Sequence, residues 1–277
     1  MKLGVSYNVF DGEELLEESI TKIRESVDFI CVVYQTTSNY GEYRDDLEPF
    51  LVDLKQRGLI EYLYHYIPKE IEGRHRGQLN EVVKRNIGRD ICVKIGNCTH
   101  HITMDCDEIF IPEEFDSAKN QVIYNGFETT YVSYDNYYKN RNLILSQKSF
   151  MKETKQRTMN LGYMSFIVKC DERNYGTGLT PLILDPTRTI DCKDFHIFNR
   201  RDIKMHHYSY IRKDEKSLRR KLNNTSFNQT PHSKNPVDRI VDDFISYKDG
   251  DKATVMWVNG FLEVDLLKVS DKGSKND

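Results

Sequence analysis

The chain of 277 residues has no long hydrophobic run. Crossing a bilayer takes roughly 20 consecutive apolar residues, and no stretch approaches that. The opening Met1-Lys2-Leu3-Gly4-Val5 runs straight into a strand pattern, with none of the apolar core of a signal peptide. A soluble cytoplasmic protein is expected. Ordered cysteine spacing is also missing: the six cysteines, at 31, 92, 98, 106, 170 and 192, form neither a CxxC pair nor a regular secreted array. That argues against a zinc knuckle and against a disulfide framework. Charge of one sign is lacking too. With 40 Lys and Arg against 43 Asp and Glu, the formal charge is -3, so nothing draws the whole chain to a polyanion, and nucleic acid would have to meet a local patch.

What is present is enough apolar material, 38%, for one good core or a main domain with a small appendage. Strand and helix patterns alternate through residue 110. Lys2 to Asn8 and Phe29 to Tyr34 read as strands. Between them lies a helix with Leu15, Leu16, Ile20 and Ile23 on one face, Asp11 as its cap and Glu14 as the box partner. A second helix carries Leu47, Phe50, Leu51 and Leu54 and stops at Gly58, before a strand from Ile60 to Tyr66. A third places Leu79, Val82, Val83, Ile87, Ile91 and Ile95 at helical spacing and stops at Gly96-Asn97. This is the pattern of a mostly parallel α/β sheet. Further on, Gln121-Val122-Ile123-Tyr124 and Tyr131-Val132-Ser133-Tyr134 read as strands, Pro236 to Tyr247 as a docking helix, and Ala253 to Val264 as a hairpin about Asn259-Gly260.

After the third helix, Ile102-Thr103-Met104 runs into Asp105-Cys106-Asp107-Glu108. In open α/β sheets ligands collect at the carboxyl ends of such strands. Asp105 and Asp107 can share a ligand only if the chain turns at Cys106, since side chains alternate along a straight strand. Such oxygen ligands suit Mg²⁺ or Mn²⁺ bridging to substrate phosphates. The plainer reading, an acidic turn ending a strand, stays open on these residues alone. On the preceding helix Lys84, Arg85 and Asn86 are placed to meet a diphosphate, or else form a solvated basic face.

Lys84-Arg85-Asn86-Ile87-Gly88 followed by Thr103-Met104-Asp105-Cys106-Asp107-Glu108 resembles the "RN-x-G … D-x-D" core of GT-A type glycosyltransferases, especially enzymes similar to glycosyltransferase family 2. The likeness covers about the first 110 residues well and the rest in outline. It implies a GT-A, Rossmann-like, mostly parallel central sheet flanked by helices. It divides the chain into a nucleotide-sugar-binding half at 1–110 and an acceptor-side half at 111–222, to which the sequence pattern adds a C-terminal helix and hairpin at 223–269 and a small, charged, frayed tail at 270–277. It also implies that the nucleotide lies at Tyr7 and the loop of Gln35 and Thr36, that Lys84, Arg85, Asn86, Asp105 and Arg212 serve the nucleotide, and that a late histidine joins Asp105 and Asp107 on the metal. His207 is preferred to His206; on a strand only one ring can enter the site. The family usually has an acid at the end of the second strand, where this chain has Tyr34-Gln35.

The implied reaction is attack by an acceptor hydroxyl on the anomeric carbon of a nucleotide-activated sugar, a UDP-sugar being favoured, with Mn²⁺ or Mg²⁺ and basic side chains stabilising the departing diphosphate. An inverting enzyme needs a general base, for which Asp185 and Glu172 are candidates; Asp185 also reads as an Asp-Pro turn cap. Tyr175-Gly176-Thr177-Gly178-Leu179 reads as a loop over the donor. From Arg200 to Lys221 nine cations interleave with Tyr208, Tyr210 and two histidines, a patch suited to a polyanion. The chain is similar to small bacteriophage glycosyltransferases, some acting on hydroxymethylated DNA, which makes DNA an acceptor to weigh and host cytoplasm the setting. A surface-glycan acceptor and a non-catalytic nucleic-acid-binding module are the alternatives.

Overall fold

The computed structural model describes residues 1–70, 76–154, 162–176, 185–225, 234–257 and 260–269. The expected loop residues Thr177 to Leu179, the turn residue Asn259 and the tail at 270–277 lie outside that description. The first half runs β1 (Leu3–Val9), α1 (Glu13–Ile23), β2 (Phe29–Tyr34), α2 (Leu47–Gln56), β3 (Tyr62–His65), α3 (Arg76–Lys94) and β4 (His100–Asp105). Next come β5 (Glu108–Ile109), α4 (Pro112–Asn125), β6 (Thr129–Tyr138), β7 (Asn140–Leu145), α5 (Gln147–Thr154), β8 (Met164–Lys169) and β9 (Tyr175–Gly176). A 3-10 turn at Pro186–Arg188 precedes β10 (Thr189–Ile190), β11 (His196–Ile197), β12 (Lys204–Tyr210), α6 (Glu215–Asn224), α7 (Lys234–Ser246), β13 (Ala253–Trp257), β14 (Gly260–Val264) and β15 (Leu266–Lys268).

The main sheet follows the order β15-β7-β6-β8-β4-β1-β2-β3. The four strands of the first half are all parallel. Beyond them β8 is antiparallel to both β4 and β6, while β11 and β12 run parallel to β6. This is the expected α/β sheet flanked by helices, all-parallel in its first half and mixed beyond it.

β1 is buried on both faces, with Leu3, Val5, Tyr7 and Val9 on one and the smaller or polar Gly4, Ser6 and Asn8 on the other. Leu3, Val5, Tyr7 and Val9 join the main core with Leu16 and Ile20 of α1, Leu51 and Leu54 of α2, and Phe115 and Val122 of α4. Each such side chain contributes about 1.5–3 kcal/mol when fully buried. The opposite face of β1 meets α3. There a Cβ on Gly88 would stand 2.5 Å from Ser6 Cβ, and one on Gly4 would stand 2.8 Å from Cys92 Sγ. Two glycines thus let helix and strand approach closely. Because the helix after β1 covers one face and the helix before β4 covers the other, a crevice opens between the ends of β1 and β4, the usual ligand position in such sheets.

Two local expectations are corrected. The residue capping α1 is Gly12, at φ 75°, and no side chain caps the helix; Asp11 lies one residue too early for the box. Gln121 to Tyr124 is the last turn of α4, not a strand. Phe115, Ala118 and Val122 fall at helical spacing on its buried face, Pro112 opens it, and Gly126 at φ 68° closes it. The strand expected at Tyr131 to Tyr134 is the middle of β6. The docking helix is α7, whose Val237, Ile240 and Val241 build a second core with Tyr138, Leu218 and the strand pair β13 and β14.

Candidate active site

Register places Asn8 beside Asp105 at the ends of β1 and β4. The chain turns after Asp105, so Cys106 goes into the core and Asp107 lies almost wholly buried on the far side of the turn. His207 reaches it from β12. Its Nε2 stands 3.5 Å from Asp107 Oδ1, and its Nδ1 lies 2.6 Å from Asn136 Oδ1. His206 points elsewhere, its Nδ1 2.6 Å from the Tyr137 hydroxyl, as alternation along a strand requires.

Two cations hold the other oxygen of Asp107: Arg212 Nη2 donates to Oδ2 at 2.7 Å and Lys221 Nζ at 3.2 Å. Oδ1 is buried without a hydrogen-bond partner. Burial pushes this carboxyl up, but Lys221, His207 and Arg212 together outweigh it and hold it well below the usual carboxylate range. Asp11 approaches the same cations; there burial prevails and raises its carboxyl.

Asp105 sits between two arginines. Arg85 donates to its Oδ1 at 3.2 Å and to its Oδ2 at 3.4 Å, and Arg188 to Oδ2 at 2.8 Å. Here too the burial penalty is overcome, by Arg85 and then Arg188, and the carboxyl is held far below its ordinary value. Arg85 comes from α3, one turn before the close approach at Gly88, which aims its guanidinium at the strand ends.

The remaining sequence-derived residues divide. Tyr7 points into the core, where its hydroxyl lies 3.0 Å from Ser19 Oγ, so the residue of β1 facing the crevice is Asn8. Both amide ends of Asn8, and Oε1 of Gln35 just past β2, are buried without partners. Thr36 Oγ1 pairs with His65 Nε2 at 3.1 Å. Lys84 is buried on Glu81, and the Asn86 amide is used by the Tyr175 backbone; both hold α3 and its surroundings together. Asp185 caps the 3-10 turn through Thr187 N and also accepts from Arg85 and Arg188. Burial raises its carboxyl, yet Arg85 and Arg188 keep it below the ordinary range. Glu172 is exposed, outside the cluster. Arg188, Lys221, Asn8 and Glu108 are site residues that motif reading missed. Arg188 stands three residues after Asp185 in a segment whose Asp-Pro start reads as a turn, and Lys221 is one of nine similar cations.

That cationic run is mostly consumed internally. Arg200 and Lys204 pair with Asp135, Arg219 with Glu215 and Asp238, and Arg220 with Glu42, while Lys213 lies 3.6 Å from Glu13. The expected DNA-facing patch therefore shrinks to its few outward cations, Lys216 among them.

As to a metal, the orphaned Asp107 Oδ1 beside a histidine nitrogen whose partner nitrogen is already engaged is a donor pair that fits Mn²⁺ or Mg²⁺. Asp105, with both oxygens on guanidinium groups, does not complete that pair. Among the described residues no three His, Cys, Asp or Glu side chains converge as a ready metal cage, so Asp107 and His207 would hold such an ion with substrate oxygens or water as its further ligands.

No family model and no curated protein sequence matches the chain. Solved structures show a distant likeness. S. aureus TarS is 11% identical over 90% of this chain and 44% of that one, at a TM-score of 0.44. TarS 1-349 in complex with UDP-GlcNAc is 10% identical over 88% of this chain and 72% of that one, at 0.42. Mannose-1-phosphate geranyltransferase from Thermus thermophilus is 13% identical over 51% and 43%, at 0.30. The chain spans 36% of the first TarS chain matched, a complex with UDP, and 44% of the second. At these values the likeness is one of outline. No helix of the described residues is long and apolar enough to cross a membrane.

Proposed function

We propose that the chain is a glycosyltransferase of GT-A type that takes its sugar from a nucleotide diphosphate donor, a UDP-sugar in the first instance. One observation carries the reading: at the sheet's switch point a buried Asp107 oxygen without a partner stands beside His207, flanked by Arg212 and Lys221. An oxygen of that kind is costly unless something binds it. The neighbouring cations answer the charge of a diphosphate, and Asn8 and Gln35, with unpartnered amide atoms at the ends of β1 and β2, suit a base or ribose.

In this reaction the acceptor hydroxyl oxygen bonds to the anomeric carbon, the bond from that carbon to the diphosphate breaks, the nucleotide diphosphate leaves with the electron pair, and the hydroxyl proton is released to water. Charge develops on the leaving group, so Arg85, Arg212 and Lys221 act by electrostatic stabilisation. Asp107 and His207 would hold Mn²⁺ or Mg²⁺, which when bound supplies Lewis acidity toward the diphosphate. Asp185 is engaged by Arg85 and Arg188 and serves as their ionised partner.

The test is calorimetric titration of UDP, GDP and CDP with and without Mn²⁺, on the wild type and on Asp107→Asn. We expect Mn²⁺-dependent binding of one nucleotide, lost in the variant. A chain that binds none of the three overturns the reading, and metal-independent affinity for nucleic acid would replace it with a binding module.

A further inference from the structure

Arg188 is almost wholly buried and donates from every nitrogen of its guanidinium. Nε reaches Asp185 Oδ2 at 3.0 Å; Nη1 reaches Glu108 Oε2 at 2.9 Å and the Thr103 carbonyl at 3.3 Å; Nη2 reaches Asp105 Oδ2 at 2.8 Å and Glu108 Oε1 at 2.5 Å. Glu108 is equally buried. A bidentate pair between a buried carboxylate and a buried guanidinium fixes the plane of both groups. Arg85 faces it across the same two acids, contacting Asp105 and also Asp185 Oδ2 at 3.1 Å. Asp105, Arg85, Asp185 and Arg188 therefore close a ring of alternating charge. Asp105 is the most exposed member of that ring, at 32% of its side-chain surface against 17% for Asp185 and 1–2% for the arginines.

Such a ring has a mechanical consequence. Asp105 stands two residues from Asp107, and two carboxylates so close repel unless one is compensated. The arginines compensate Asp105 from behind; Arg85 is held by the neutral hydroxyls of Thr187 and Thr103, whereas Arg188 is locked by the Glu108 carboxylate. We propose that Arg188 is a positioning residue of the donor site: through its pair with Glu108 it holds the Asp105 carboxylate in a single orientation toward the bound nucleotide. This rests on the glycosyltransferase reading above. Lysine in its place keeps the charge but has one nitrogen, which cannot serve Glu108, Asp105 and Asp185 together.

A double-mutant cycle separates positioning from bulk stability, because an effect routed through Asp105 vanishes once Asp105 is changed. Binding of UDP, GDP and CDP with Mn²⁺ is measured for wild type, Arg188→Lys, Asp105→Asn and the double variant. We expect Arg188→Lys to weaken the bound nucleotide by at least about tenfold in the wild-type background and by less than about twofold in the Asp105→Asn background. Equal losses in both backgrounds, or none in either, overturn the inference while leaving the donor-site reading intact. No wild-type binding removes that reading and the inference with it. If circular dichroism shows Arg188→Lys unfolded, the isosteric Glu108→Gln, which weakens the anchor while keeping the arginine, carries the same cycle with the same expected pattern.

Discussion

His207 and Asp107 meet across the crevice from opposite halves of the chain, Nε2 3.5 Å from Oδ1, and Asn136 holds the other ring nitrogen of His207 at 2.6 Å. An amide oxygen on Nδ1 calls for a proton there and leaves the Nε2 lone pair facing Asp107 in the neutral ring. The orientation of the ring therefore depends on β6 as well as on β12, which pairs with it in parallel register, His207 opposite Asn136.

Replacing Asn136 by Leu removes that acceptor while leaving Asp107 and His207 in place. Loss of an outer partner of a metal-ligating histidine typically weakens metal binding by about 10–100-fold. We expect Asn136→Leu to lower Mn²⁺-dependent nucleotide affinity by an amount in that range, read by calorimetry over a manganese series. An unchanged manganese dependence would show that His207 needs no such support.

Gly88 is the second point of leverage. A methyl group there meets Ser6 at 2.5 Å, a distance no Cβ tolerates, so α3 must move off β1. Overpacking of this kind destabilises by about 1–3 kcal/mol. Arg85 lies one turn away, so the same shift withdraws its guanidinium from Asp105. Gly88→Ala should lower the urea midpoint and weaken nucleotide binding together; full binding with reduced stability would show that Arg85 does not depend on the close approach.

These two cases show what a linear reading reveals. The glycine and the acids stood out in the sequence because each is a local pattern: Gly88 follows Arg85-Asn86 at fixed spacing, and Asp105 and Asp107 end an apolar strand. The partners of those acids did not. Arg188 reaches Asp105 across 83 residues and Lys221 reaches Asp107 across 114, and no local pattern encodes such a meeting. Tyr7 was implied by the resemblance alone, whereas the alternation of β1 puts it in the core with Leu3, Val5 and Val9 and leaves Asn8 on the other face. At Gln121 to Tyr124 four residues were too few to separate strand from helix, and the deciding signals, Pro112 and Gly126, lay outside that window.

A third prediction concerns the loop beside the site. Arg44 is buried, donates to both Glu13 oxygens at 2.8 and 2.9 Å and to both Asp46 oxygens at 2.8 and 2.9 Å, and caps the Phe10 carbonyl at 2.7 Å. It ties the segment after β2 to the start of α1. Removing one partner of a buried pair leaves an uncompensated charge and costs about 3–5 kcal/mol. Arg44→Met should lose that much stability in urea denaturation, and Glu13→Gln in the same chain should recover part of it, since the stranded charge is then gone. Additive losses in the double variant would refute the pairing.

The last prediction follows from His101, which is buried on β4 with Nε2 2.8 Å from Ser6 Oγ and Nδ1 3.2 Å from the Tyr175 hydroxyl. Burial, with Arg89 and Arg85 nearby, pushes its pKa down to about 3 from an ordinary 6.5. The folded chain therefore keeps the ring neutral over a range where the unfolded chain protonates it. Between about pH 6.5 and 3 the unfolded state holds one more proton, so stability falls as pH falls, by about 1.4 kcal/mol per unit. Above pH 6.5 both states are neutral and the contribution is level. The carboxylates titrate in wild type and in His101→Gln alike, so the difference between the two chains isolates this ring. Measured by urea denaturation, the stability advantage of wild type over His101→Gln should shrink by roughly 2 kcal/mol between pH 7 and pH 5. A difference that stays constant across that interval would mean that the ring is protonated within the fold and that the hydroxyls of Ser6 and Tyr175 accept from it.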